Sequence, residues 1–252
     1  MIEAINLSKK YGDLIAVNNL NLQVNNELFV FLGPNGAGKT TTIKIMTGLL
    51  KPSSGTVKLQ GFDIQTRPIE AKKVIGLVSD SPVLYEKLSA REFINFMGNL
   101  YEVEHNTLHK RLNNLIELFD LEDRADALIQ SFSHGMKQKC ALAGALIHDP
   151  QILFLDEPTV GLDPKSAKNL KDLLRGLVNQ GTTIFMSTHI LEIAESMCDR
   201  VGIINQGKLI TCGTMAELRK LSQQQDQTLE EIFLELTGGD EYDEVLKYLE
   251  DK

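Results

Sequence analysis

Leu28-Phe29-Val30-Phe31-Leu32-Gly33-Pro34-Asn35-Gly36-Ala37-Gly38-Lys39-Thr40-Thr41 is the stretch that decides the reading of this chain. Residues 28–32 are a continuous apolar run of strand length, and residues 39–49 carry helical spacing. Between strand and helix lies G-x-x-x-x-G-K-[ST], with Gly33, Gly38, Lys39 and Thr40 at the defining positions. The residue types explain themselves chemically. Glycines let main-chain N–H groups curl around phosphate oxygens, the helix N-terminus adds partial positive charge, Lys39 supplies a mobile cation and the Thr40 hydroxyl can ligate magnesium. The plainer alternative is a glycine turn that only starts a helix.

Further along, a second apolar strand at residues 152–155 ends in Asp156 and Glu157 beside Pro158. Asp156 can hold magnesium, and Glu157 can polarise a water that attacks a γ-phosphate. Taken alone, the pair also fits a solvated turn. Residues 131–138 precede a helical run to Ile147, with Ser133 as a natural N-cap whose following N–H groups suit an anion or no ligand at all.

Around these segments the chain reads as α/β. Strand-like groups at residues 2–7, 20–24 and 56–59 suggest an antiparallel region, and residues 74–78 form another apolar run. Helical spacing dominates from residue 89 to about 129 and implies a helical lobe set into the core. Strands at 152–155, 183–187 and 201–204 alternate with helices at 165–180 and 190–198, the pattern of parallel strands with crossover helices.

Composition narrows the function. With 252 residues, 42% of them hydrophobic, the chain can bury a substantial core. It contains no apolar stretch of membrane-spanning length, so a membrane role requires another chain. The three cysteines, Cys140, Cys198 and Cys212, show no metal-ligand spacing and read as reduced thiols in a cytosolic protein. Net charge is −8, but residues 222–252 hold 10 acidic and 2 basic residues. Subtracting these from 34 and 26 leaves 24 of each, so no basic footprint for nucleic acid remains and no nucleic-acid partner is expected.

In order and spacing, these motifs resemble the ATP-binding subunits of ABC transporters up to about Leu218. Residues 33–40 resemble Walker A, 152–157 Walker B and 131–138 the family signature; Gly161, Leu162 and Asp163 match the D-loop, and Ser187, Thr188 and His189 the switch-histidine motif. The resemblance implies a P-loop NTPase (RecA-like) core with an N-terminal antiparallel β subdomain and an inserted α-helical subdomain. It places the ATP-binding domain at residues 1–220, its helical lobe at about 85–150 and an acidic helical extension at 221–252.

ATP and Mg2+ are the implied cofactors. The implied nucleotide contacts are Tyr11, which stacks on adenine, then Gly33, Pro34, Asn35, Gly36, Ala37, Gly38, Lys39, Thr40 and Thr41, with Ser133, Gly135 and Asp163. Catalysis falls to Glu157, His189 and Lys39, and magnesium to Thr40, Asp80 and Asp156. ATP on one subunit is capped by Ser133 and Gly135 of an opposing one, as homodimer or heterodimer, and a polytopic permease carries the substrate. The implied location is cytoplasmic, peripheral on the cytoplasmic face of the cell membrane.

Two positions depart from the family pattern. Asp80 stands where most relatives carry glutamine, which predicts slower hydrolysis. His134 replaces a signature glycine and predicts backbone strain if positive φ is needed there. Tyr85, Leu88, Phe93, Phe96, Met97 and Tyr101 form a stripe expected to be mostly core, with part of it receiving a permease helix. The residues 229–236 resemble the ends of export-type subunits and favour export. The rival readings are a soluble ABC-type ATPase in translation or DNA repair, and a P-loop kinase, which leaves the signature and D-loop unused.

Overall fold

The computed structural model describes residues 1–160, 162, 164–221 and 229–237. The chain opens with strands β1 (Ile2–Tyr11), β2 (Leu14–Val24) and β3 (Leu28–Leu32), then helix α1 (Lys39–Met46). Next come β4 (Ser54–Leu59), β5 (Phe62–Asp63), α2 (Pro68–Lys73) and β6 (Ile75–Val78). Helices α3 (Ala90–Leu100), α4 (His105–Leu118) and α5 (His134–Leu146) follow. The remainder alternates as β7 (Ile152–Asp156), α6 (Pro164–Asn179), β8 (Thr183–Thr188), α7 (Leu191–Met197), β9 (Arg200–Asn205), β10 (Lys208–Gly213), α8 (Met215–Leu221) and α9 (Leu229–Thr237).

Two sheets result. A four-stranded antiparallel sheet has the order β2-β1-β4-β5, and a six-stranded sheet has the order β10-β9-β3-β8-β7-β6. In the larger sheet, β6, β7, β8, β3 and β9 run parallel, and β10 returns antiparallel on the edge. Alternate residues of each central strand enter different cores: Leu28, Val30 and Leu32 face the helical side, Phe29 and Phe31 the antiparallel sheet. Both faces are covered, which is why these strands are continuous apolar runs without polar alternation. Phe185 is fully buried and meets Phe29 and Phe31 at 5.4 Å and Phe154 at 5.7 Å between ring centroids.

The long helical stretch expected after residue 89 is broken. α3 ends at Leu100 because Glu102 adopts φ 58°, and α4 restarts on a Glu104 cap that accepts from the N–H groups of Asn106 and Thr107 at 2.9 Å each. At its start α3 has a complete capping box between Ser89 and Glu92. Together, α3, α4 and α5 lie in sequence between β6 and β7, which are themselves hydrogen-bonded neighbours, so the helical lobe is an insertion into the core sheet.

β10 and the hairpin that leads to it were not anticipated. Gln206 and Gly207 both take positive φ and turn the chain, but the short, half-exposed strand shows little periodicity. Burial pushes the Cys140 thiol up to about 12 and that of Cys198 up to about 11, so both are poor nucleophiles. Among the described residues, no helix is long and apolar enough to cross a membrane. In the tail, α9 buries Leu229 and Ile232 in the helical-side core, against α7 and α8.

Candidate functional site

The turn between β3 and α1 is held by close approaches that no side chain could share. A Cβ on Gly33 would stand 2.4 Å from the Ile204 carbonyl oxygen; one on Gly38, at φ 107°, would stand 2.3 Å from that of Ala16. The β9–β10 turn fastens the loop from outside, because the Gly207 N–H donates to the Ala37 carbonyl and the Asn18 N–H donates to that of Gly207. α1 begins at Lys39 with no side-chain cap and no acidic residue in its first turn. The N–H groups of Lys39, Thr40 and Thr41 have no helical carbonyl one turn back, so they form a seat for an anion.

Beside that seat, three side chains from distant parts of the sequence meet. The Lys39 ammonium donates to the carbonyls of Gly33 at 2.7 Å and Pro34 at 3.1 Å, and lies 3.4 Å from Glu157 Oε1. Glu157 Oε2 lies 3.0 Å from His189 Nδ1 and accepts from the His189 backbone N–H at 3.4 Å. Glu157 has φ 51°, a costly conformation for a non-glycine residue, and its N–H donates to the Ser187 backbone carbonyl and hydroxyl at 3.2 Å each. The Ser187 hydroxyl in turn donates to Asp156 Oδ1 at 2.5 Å, in a fully buried pair fixed by the β7–β8 register Asp156↔Ser187.

A cleft of about 860 Å3 opens over this group. Of the residues proposed from sequence, Tyr11, Asn35, Gly36, Gly38, Lys39, Thr40, Thr41, Asp80, Glu157 and His189 line it. Gly33 and Ala37 are buried beneath it, Pro34 does not line it and Asp156 lies behind, only 3% exposed. Sequence reasoning missed Asp13, Leu14, Ile15 and Ala16 next to Tyr11, Gln206 and Gly207 in the β9–β10 turn that packs on Ala16, and Val160. The available signal was Leu14 and Ile15, apolar residues that the β1–β2 hairpin leaves exposed next to an exposed tyrosine.

Ser133 and Gly135 do not line the cleft. They sit at the start of α5, where Ser133 is the N-cap and accepts from the Met136 N–H at 3.3 Å. The strain expected at His134 is not found: it opens α5 without positive φ, so its side chain costs the backbone nothing special. Gly161 and Asp163 lie outside the described residues. The aromatic stripe divides, with Phe93 buried while Tyr85 and Phe96 are 57% and 41% exposed in an edge-to-face pair at 5.3 Å.

Among the described residues, no group of three or more histidine, cysteine or acidic side chains could hold a metal alone. Magnesium commonly takes one or two protein ligands and completes its shell with water and substrate phosphates. Of the three oxygen ligands expected for it, Thr40 and Asp80 line the cleft, and Asp156 is buried with its Oδ1 accepting from the Ser187 hydroxyl.

The sequence profile described as ABC transporter matches residues 17–160. The linearmycin resistance ATP-binding protein LnrL of Bacillus subtilis is 38% identical over 219 residues, 86% of this chain and 70% of that protein. The probable multidrug ABC transporter ATP-binding protein YbhF of Escherichia coli is 37% identical over 94% of this chain, which spans only 41% of that protein. A solved ATP-binding subunit of an ABC transporter superposes with a TM-score of 0.89 at 31% identity, covering 94% of this chain and 99% of that one. A dimeric bacterial ABC transporter cassette superposes with a TM-score of 0.78 at 27% identity, covering 85% and 99%.

Proposed function

This chain belongs to the ABC transporter family as an ATP-binding, ATP-hydrolysing subunit, and we propose that it drives export through a separate polytopic permease by closing on a second such subunit. The observation that carries this reading is a division of geometry. Lys39, Glu157 and His189 converge on one cleft, while Ser133 and Gly135 stand at the head of another helix, outside it. A cap from the opposing subunit's α5 unites the two halves, and loss of the γ-phosphate removes the anion that holds them.

In this mechanism the adenine stacks on Tyr11, with Leu14 and Ile15 as apolar neighbours. Lys39 leaves Glu157 and the loop carbonyls for the phosphate oxygens, and the first-turn N–H groups of α1 hold the rest. Freed from Lys39, Glu157 accepts the proton of the attacking water, oriented through its contact with His189. Magnesium held by Thr40, Asp156 and Asp80 supplies charge neutralisation at the phosphates when bound. Export accords with the resistance and multidrug names of the relatives. The working location is the cytoplasmic face of the membrane.

The exposed Tyr85–Phe96 pair is the proposed permease dock. Detergent-extracted complex from membranes should contain a polytopic protein with the wild-type chain and lose it with Tyr85→Asp/Phe96→Asp, while Mg-ATP binding persists. Undiminished copurification by the double variant, or recovery of ribosomes or DNA in place of a membrane protein, would overturn the assignment.

A further inference from the structure

We propose that a second cavity, walled by the end of α4, α5 and α6 and separate from the nucleotide cleft, binds a small apolar amine. Its volume is about 430 Å3, within the usual range for small-molecule sites. Leu118, Phe119, Leu142, Leu170 and Leu173 supply apolar walls. Gln138, only 3% exposed, also lines it. Its amide nitrogen reaches the Pro158 carbonyl at a long 3.5 Å, and its Oε1 has no hydrogen-bond partner among the described residues. A buried acceptor without a donor is costly, and a ligand N–H supplies the missing donor.

Charge selects the class of ligand. Two solvent-exposed carboxylates, Asp120 and Asp172, line the cavity; Asp120 is paired with the Lys139 ammonium at 3.4 Å, which leaves Asp172 as the surplus negative charge. An anion meets net repulsion, and a hydrocarbon leaves Gln138 unpaired. An arylalkylammonium fills the apolar volume, donates to Gln138 and meets the surplus acid. The occupant would also brace α5, whose N-cap is Ser133, against α6.

The test is titration of the full chain, carrying 13C-labelled leucine methyls, with 4-phenylbutylamine and with 4-phenylbutyrate. The expected result is saturable shifts at Leu142 and Leu173, with the amine binding about tenfold more tightly than the acid, equivalent to roughly 1.4 kcal/mol. Gln138→Leu should weaken the amine about fivefold or more by removing its acceptor. Leu173→Phe, which fills the cavity without touching Gln138, should abolish the shift at Leu142 while Mg-ATP binding is unchanged. Equal affinity for amine and acid, no saturable shift at these methyls, or indifference to Leu173→Phe overturns the proposal, whether or not the Gln138 variant folds.

Discussion

Lys39 and Glu157 form an ion pair at 3.4 Å with side chains only 6% and 11% exposed, so the phosphate-seeking cation and the carboxylate beside it neutralise each other inside the cleft. Neither charge is fully free: Lys39 also holds two loop carbonyls, and Glu157 also holds His189. In the proposed mechanism a triphosphate would compete for Lys39 and thereby release Glu157 to act on water. On that proposal the pair would link occupancy of the anion seat to availability of the base.

Lys39→Ala removes the cation and both of its contacts to the loop. Charge-assisted hydrogen bonds are worth about 1.5–3 kcal/mol each, so Mg-ATP affinity should fall by one to two orders of magnitude. Calorimetric titration checks this; affinity within about threefold of wild type would exclude a phosphate-binding role.

Glu157→Gln keeps the side chain's shape but removes its basicity. Turnover should fall by about 10²–10⁴-fold while ATP binding stays close to wild type. Light scattering with ATP should show an accumulated dimer, because the phosphate that joins the subunits is no longer cleaved. Near-normal turnover would sink the assignment of Glu157 as base.

Gly38→Ala tests the packing of the loop against β2. The new Cβ would stand 2.3 Å from the Ala16 carbonyl at a backbone angle of φ 107°, so loop or hairpin must move. Strain of about 1–3 kcal/mol should lower the urea midpoint and weaken nucleotide binding together. An unchanged midpoint with intact binding would mean that the approach is relaxed at little cost.

His148 gives a pH signature remote from the cleft. Its ring stacks on Tyr101 at 3.7 Å and contacts the Ile75 carbonyl through Nε2 at 2.9 Å. Burial depresses its pKa below 6.5; Arg111 lowers it further, while the Ile75 contact and Asp149 oppose the shift. A depressed histidine pKa means that the unfolded chain binds the proton first, so the stabilising contribution is full above the unfolded value of about 6.5. It is lost as pH falls from there toward the folded pKa. Thermal midpoints of wild type should drop across this window more steeply than those of His148→Phe, which keeps an aromatic ring but cannot titrate; parallel curves would refute it.

Much of the fold was legible because local signals agreed. Residues 28–32, 152–155 and 183–188 are uninterrupted apolar or small stretches of strand length, and each is followed by a turn and a helix. That repetition is the pattern of parallel strands covered on both faces. Gly38 and Lys39 were identifiable because their chemistry lies within one turn. The β9–β10 hairpin, Leu14 and Ile15 were not, because their importance depends on packing against a loop far away in the chain.

The sequence alone determined the strand-turn-helix phosphate loop, the presence of an acidic pair at a strand end and the helical insertion, since each depends on periodicity and on residues adjacent along the backbone. Tertiary structure decided that Ser187 grips Asp156, that Glu157 stands between Lys39 and His189, and that Ser133 remains outside the cleft. Periodicity states which face of a strand is buried. Which strand lies beside it, and in what register, is settled only when the sheet assembles.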